Sequence, residues 1–271
     1  MAKNDAESKL GDDLSTLAAP FGPHLAVRAS GSDGFRFAVN GSLPMLSASL
    51  IKLPILLYAC ERSKKETDLF DRTVCLKDGD RVGGSGVLQV LGIRTWTLRD
   101  LLALMINVSD NTATNMLIDY FGTTTIQRWI HSQGYTGTML ARKLMDGSAA
   151  AAGKRNLINA DNACRMITRI MTLDHLETPQ IRSWFLHQQF RYKLPALFDE
   201  RSDVGVCVYN KTGEMEQIDH DAAYFQSGTH TLSIAVLTSG IPDRREALAV
   251  IQTIGAKIRD YLERKRESTV C

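Results

Sequence analysis

Three short groups of residues carry the chemistry that can be read in this sequence. Ser49-Leu50-Ile51-Lys52 sets a hydroxyl and an amine three residues apart. On a helix that begins at Ser49, Lys52 lies one turn on, on the same face, where its amine can take the serine proton. The positive end of the helix dipole favours an alkoxide there and disfavours a charged lysine, which makes a weak nucleophile active. Ser109-Asp110-Asn111 falls between two helical segments and reads as a loop with exposed side chains. Its serine could relay a proton to a leaving group, and the Asn111 amide could bind a substrate carbonyl or hold Lys52. Lys211-Thr212-Gly213 ends a strand. Lys211 there can hold an anionic group, Thr212 can hydrogen-bond it, and Gly213 lets a ligand come close to the strand backbone. Each group alone also fits a plainer use: a helix start, a helix cap, or a strand running into a turn.

The elements that must position these groups follow from periodicity. Residues 5–19 read as an amphipathic helix, with Leu10, Leu14, Leu17 and Ala18 at helical spacing, ended by Pro20, Gly22 and Pro23. Strands over 24–30 and 35–40 follow, joined by the turn signal Gly31-Ser32-Asp33-Gly34. The middle is helical: 49–63, 98–106 with Thr97 as cap, 111–120, 124–133, 160–174 and 178–190, with Gly122 and Gly134 at helix ends. Between them, Asp146 to Asn156, with its run of four alanines, reads as a flexible loop. Strands return at Val204–Tyr209, 222–226 and 231–238, and a last helix runs from Asp243 to Arg266. The order predicts an α+β fold in α/β layers, with an antiparallel sheet flanked by the N- and C-terminal helices and an inserted all-helical subdomain. The expected division is 1–43 with 203–271 for the sheet part and 44–202 for the helical part, with the site between them.

Composition narrows the class. The chain has 271 residues, 44% hydrophobic and 23% charged, as in ordinary globular proteins. A net charge of +2 gives no electrostatic case for nucleic acid. No stretch reaches the roughly 18 apolar residues of a membrane span, and no signal-peptide pattern opens the sequence. As written it reads as cytoplasmic, and a mature form with its signal removed would read the same. The five cysteines are widely spaced with no Cys-x-x-Cys pair, so neither a disulfide framework nor a zinc site is expected. Cys60, Cys164 and Cys207 are expected as buried small hydrophobes. His24, His131, His175, His187 and His230 lack metal-ligand spacing. Trp96, Trp129 and Trp184 are expected in core packing. His220-Asp221 is expected at a surface or hairpin position, with the site mouth as the alternative.

Taken together, in this order and in these contexts, the three groups resemble the signature of class A β-lactamases and penicillin-binding proteins. Gly84-Ser85-Gly86-Val87-Leu88-Gln89 also resembles that family's segment ahead of its second motif, and the resemblance runs from about Leu14 to Leu262. It implies a Ser49 nucleophile with Lys52 as proton partner, Ser109 relaying a proton to the leaving nitrogen with help from Lys211, and Asn111 orienting the substrate amide. Thr212 and Gly213 would bind substrate, and the backbone N–H groups of Ser49 and Glu214 would form the oxyanion hole. It implies a small-molecule β-lactam, amide or ester as substrate, no nucleic-acid or membrane partner, and no metal or organic cofactor.

One departure stands out. The family carries a deacylating glutamate in the loop after the second motif, and here no glutamate occurs from Tyr120 to Leu176. Asp146 is the carboxylate nearest the expected register, either as a shorter substitute base or as a helix-end cap. Acylation is therefore expected to survive and hydrolysis to be slow, because general-base assistance is worth about 10²–10⁴-fold. Three functions fit: a serine hydrolase of the β-lactamase type, a cytoplasmic biosynthetic acyltransferase or esterase on the same scaffold, and a non-catalytic binding protein that retains the pocket.

Overall fold

The computed structural model describes residues 2–198 and 205–270. In chain order the elements are α1 (Ala2–Ala18), β1 (Leu25–Gly31), β2 (Arg36–Val39), β3 (Met45–Leu46), a 3₁₀ turn (Ala48–Ile51) and α2 (Lys52–Ser63). Then come β4 (Thr73–Cys75), β5 (Thr95–Thr97), α3 (Leu98–Asn107), α4 (Asn111–Phe121), α5 (Thr123–Ser132), α6 (Gly147–Ala151) and β6 (Leu157–Ile158). The chain finishes with α7 (Ala160–Met171), α8 (Thr178–Leu186), β7 (Cys207–Met215), β8 (Ile218–Ser227), β9 (His230–Ser239) and α9 (Arg244–Val270).

Five strands form one antiparallel sheet in the order β2-β1-β9-β8-β7. Side chains alternate between its faces, and each face has its own core. Leu25, Val27, Ile234, Val236 and Phe225 pack with Leu10 and Leu14 of α1 and Ile251, Ile254 and Ile258 of α9. Ala26, Ala222, Ala235 and Leu237 face the helical region, where α2, α3, α4 and α7 share the larger cluster. The sheet with its two terminal helices and the helical region between them is the architecture that the order of elements implies. Each Leu or Ile fully buried on these faces stabilises the fold by roughly 1.5–3 kcal/mol.

The interior of the helical region is α2. Lys52 and every residue from Leu53 to Cys60 are buried. Helix starts are capped by the residue types that favour it: Thr97 accepts from Asp100 N, Asp110 from Ala113 N and Asn159 from Asn162 N. Gly122 and Gly134 have positive φ at the ends of α4 and α5.

Several expectations change. The helix foreseen from Ser49 opens as a 3₁₀ turn and becomes α-helical only at Lys52. The alanine run is not loop: Asp146 caps it as α6 by accepting from Ala149 N. β7 runs through Lys211-Thr212-Gly213 to Met215, so the strand does not end there. Ser109, Asp110 and Asn111 are buried, not exposed, because the 83–88 segment closes over them. His220 is fully buried within β8, and Cys207 is exposed while Cys60 and Cys164 are buried. The expected strand start at Val204, the boundary at 202/203 and Cys271 lie outside the described residues.

Candidate active site

Ser49 is the second residue of the 3₁₀ turn and is half-buried. At that position its N–H has no partner inside the helix. Two contacts fix the turn from opposite sides. Ser47 N donates to Asn156 O at 2.9 Å, and His220 Nε2 lies 2.9 Å from Leu46 O. His220 Nδ1 accepts from Thr238 N at 3.2 Å, so Nε2 carries the proton and donates to Leu46. Burial first, then the nearby Lys193 charge, pushes this imidazole down to about 4, so it stays neutral.

Lys52, one turn on, is fully buried. Its Nζ lies 3.0 Å from Ser49 Oγ, 2.6 Å from Ser109 O, 2.9 Å from Ser109 Oγ and 2.9 Å from Asn111 Oδ1. Burial, with the Lys211 charge behind it, holds the amine well below its ordinary value, against a smaller opposing effect of Asp110. A neutral Nζ has a lone pair and can accept the Ser49 proton.

Ser109 is brought here by the turn between α3 and α4, at the cost of a φ of +53°. Asp110 holds the turn: Oδ1 accepts from Ala113 N at 2.8 Å, and Oδ2 from Val87 N at 2.6 Å and Leu88 N at 2.8 Å. Asn111 Nδ2 donates to Gly83 O at 3.1 Å, leaving its Oδ1 for Lys52. The residues that flank or line the cleft include Ala48 at φ +44° and Met145 at φ +60° as well as Ser109. Left-handed backbone at non-glycine residues is strained, and such strain gathers at functional sites.

β7 is the sheet's edge strand and supplies the opposite wall. Lys211 Nζ lies 3.0 Å from Ser109 Oγ and donates to Thr212 O at 2.8 Å. Burial lowers this amine to about 7; Asp221 opposes the shift and Lys193 adds to it. Thr212 is buried beside it. A Cβ on Gly213 would stand 3.2 Å from Ala48 Cβ and 3.2 Å from Ser49 N, so only glycine lets β7 lie this close to the turn. Glu214, next along, lines the cleft. Its carboxylate takes the Tyr192 hydroxyl, Arg244 Nη2 at 3.0 Å and Lys193 Nζ at 3.4 Å. Lys193, fully buried, also donates to Gly213 O and His220 O, each at 3.2 Å, and so pins this end of β7 to β8.

The cleft beside Ser49 encloses about 400 Å³ and is lined by Ser49, Asn111, Asp146 and Glu214 among mainly apolar neighbours. Asp146 faces it, but its Oδ1 accepts from Ala149 N at 2.9 Å and from Ser148 Oγ at 3.2 Å. The Ala149 N–H, then Ser148 and the charges of Arg142 and Lys154, hold its carboxyl below the usual range, which suits a cap and not a base. The sequence did not single out Arg142, Met145, Arg155 or Asn156, all of which line this cleft. Among the described residues, no cluster of three or more His, Cys, Asp or Glu could hold a metal ion, and no helix is long and apolar enough to cross a membrane.

Ser49, Lys52, Ser109, Asn111, Lys211, Thr212 and Gly213 thus converge from a turn, an interhelical corner and an edge strand. This arrangement can deprotonate a hydroxyl, pass its proton to a second hydroxyl, and hold an anionic group beside it. A β-lactamase of Proteus vulgaris is 26% identical over 119 residues, 44% of this chain and 40% of that protein's length. The solved β-lactamase of Sphaerobacter thermophilus is 26% identical, with a TM-score of 0.81 over 94% of this chain and 97% of that one. A variant of PBP-A, solved as an acyl-enzyme with penicillin G, shares the fold at a TM-score of 0.81 and 19% identity, over 95% of this chain and 97% of that one. The family model described as the β-lactamase enzyme family matches residues 9–262. The chain therefore belongs to the β-lactamase enzyme family of serine hydrolases.

Proposed function

We propose that this chain opens a β-lactam, or cleaves a related amide or ester, by forming an acyl-enzyme on Ser49 that water removes slowly. The observation that carries the reading is the position of Lys52 Nζ, 3.0 Å from Ser49 Oγ and 2.9 Å from Ser109 Oγ. Neutral Lys52 takes the Ser49 proton as Oγ bonds to the substrate carbonyl carbon. The oxyanion is held by the N–H groups of Ser49 and Glu214, each such donor being worth about 2.7–4 kcal/mol. When the C–N bond breaks, Ser109 gives its proton to the leaving nitrogen and takes the one held on Lys52. Asn111 orients the substrate amide, while Lys211 and Thr212 hold its anionic end.

Deacylation lacks a base of the same quality. The sequence has no glutamate between Tyr120 and Leu176, and Asp146 is engaged by the Ala149 N–H. That engagement also favours a second reading, transfer of the acyl group to an amine acceptor in preference to water. A non-catalytic binding role gains nothing from two buried lysines directed at one hydroxyl.

The test pairs nitrocefin turnover with intact-mass measurement after penicillin exposure, for wild type and Ser49→Ala. The expected result is a stable adduct mapped to the Ser49 peptide, absent in the variant, with slow turnover. An adduct that persists in Ser49→Ala would overturn the nucleophile assignment. Fast turnover with no accumulated adduct would overturn slow deacylation.

A further inference from the structure

Four ionisable side chains line the cleft beside Ser49: Arg142, Asp146, Arg155 and Glu214. The two acids are engaged, Glu214 by Tyr192, Arg244 and Lys193, and Asp146 by the Ala149 N–H and the Ser148 hydroxyl. The two guanidiniums are not matched in this way. Arg142 Nη1 donates to Lys143 O at 3.1 Å, and its Nε is buried without an acceptor. Arg155 Nη1 donates to the main-chain carbonyls of Ala150 and Lys154. Neither guanidinium lies within ion-pair distance of a carboxylate among the described residues, although Arg142 is close enough to Asp146 to help hold its carboxyl down.

Arg142 is also held in register with the nucleophile through one residue. Asn156 O accepts from Ser47 N at 2.9 Å, two residues before Ser49. The Asn156 side chain accepts from Ala141 N at 2.8 Å and Arg142 N at 3.1 Å, and donates to Arg142 O at 2.9 Å. Arg155 is its neighbour in the chain. Leu46, Ala48, Leu144, Met145, Ala150 and Met215 supply the apolar part of the cleft wall. A mainly apolar lining with a few polar or charged groups is the usual composition of a ligand site, and here two of those groups are the half-buried Arg142 and the exposed Arg155. A guanidinium lacking a carboxylate partner in such surroundings gains most from an anionic ligand.

We propose that Arg142 and Arg155 form an acyl-side specificity subsite, which selects acyl donors whose side chain has an apolar body and ends in a carboxylate. The inference rests on the Ser49 acyl-enzyme reading. The two arginines line the same cleft as Ser49 and Asn111, the residue that would orient the substrate amide, whereas Lys211 and Thr212 are not among its lining residues, so the subsite is assigned to the acyl portion.

Three penicillins with one nucleus and matched side chains test it: phenylacetyl, α-carboxyphenylacetyl and α-aminophenylacetyl. The readout is the second-order rate of Ser49 adduct formation by intact mass, for wild type and the double variant Arg142→Gln/Arg155→Gln. Wild type is expected to react about tenfold faster with the carboxy compound than with the neutral one, the size of one charge-assisted hydrogen bond, and slowest with the amino compound. In the double variant the carboxy-to-neutral ratio is expected to collapse to about one. Adducts that form at similar rates with all three, or a preference that survives in the folded double variant, would overturn the subsite alone. No adduct with any of the three would overturn the acyl-enzyme reading and the subsite with it.

Discussion

Lys52 Nζ and Lys211 Nζ share one acceptor, Ser109 Oγ, at 2.9 and 3.0 Å. Two ammonium groups so placed, both fully buried, would repel strongly. Burial lowers both amines, and the charge of Lys211 adds to the lowering of Lys52 while that of Lys193 adds to the lowering of Lys211. In the proposed mechanism the shared hydroxyl is the point through which a proton taken from Ser49 passes to a leaving nitrogen. Removing it with Ser109→Ala is expected to slow Ser49 acylation by about 10²–10⁴-fold. Ser109→Gly serves as the fold control, because it relieves the φ of +53° and is expected to be at least as stable. Wild-type labelling rates in Ser109→Gly would rule out the relay.

The same amines make stability depend on pH. Unfolded, Lys211 holds its proton up to about 10.5, and folded only to about 7. Between those values the unfolded chain binds more protons, so the Lys211 contribution to stability rises with pH. Below pH 7 the buried ammonium carries its full cost, on the order of 5 kcal/mol before its hydrogen bonds offset part of it. Lys211→Met is expected to be more stable than wild type at pH 6, with the gap shrinking toward pH 10. Asp221 works in the same direction within the variant: burial raises it to about 7 and the Lys211 charge had opposed that rise. Urea denaturation at the two pH values checks this, and a gap that widens with pH would contradict it.

Asp110 is a structural member of the second motif. Its carboxylate accepts from three backbone N–H groups, Ala113, Val87 and Leu88, and it is 1% exposed. Asp110→Ala strands two buried donors and a part-buried one, the buried ones costing about 1–3 kcal/mol each, so a loss of at least about 2 kcal/mol is expected by denaturant titration. The segment that closes over Ser109 and Asn111 would be freed in the variant, and acylation would fall with stability.

Asp146 is expected to act as a cap and not as the deacylating base. Asp146→Asn keeps an N-cap acceptor and removes the charge, so the lifetime of the penicillin adduct is expected to stay within about twofold, against the 10²–10⁴-fold expected of a lost base. Asp146→Ala is expected to lower stability through the lost cap. Adduct lifetimes after removal of excess penicillin decide between the roles.

The parts of this site that sequence could reveal are those with local signals. Ser49 and Lys52 are three residues apart, and Lys211 to Gly213 and Ser109 to Asn111 are contiguous. Thr97 and Asp110 were legible as caps because the N–H groups that donate to them lie three residues ahead. Asp146 carries the same signal before Ala149, and it was outweighed by the glycines around the alanine run. Arg142, Arg155 and Asn156 had no local signal at all. They reach the cleft through a clamp joining residues 14 apart in sequence and a bond from Ser47 N to Asn156 O. His220 was misplaced for a different reason. β8 is buried on both faces, so the polar-apolar alternation that marks a half-exposed strand is missing from it. Its His and Asp residues looked like hairpin surface when they are the polar filling between β7, β9 and the nucleophile turn.

Gly213 offers the sharpest separation of geometry from folding. Its φ is not in the left-handed region, so alanine is allowed by the backbone. The difficulty is contact: an added Cβ would meet Ala48 Cβ and Ser49 N at 3.2 Å and Leu50 N at 3.3 Å. Two of these neighbours are backbone atoms of the nucleophile turn, and the turn is already held by Asn156 and His220. Relief must come from moving the edge strand outward by a few tenths of an ångström. β7 remains paired to β8 along its length, so Gly213→Ala is expected to lose no more than about 1–2 kcal/mol of stability. The gap between the Ser49 and Glu214 N–H groups would widen, and misplaced oxyanion donors cost about 10²–10³-fold in rate. Acylation is therefore expected to fall steeply while the melting temperature moves by only a few degrees. Wild-type acylation rates in folded Gly213→Ala would mean that the oxyanion is held elsewhere.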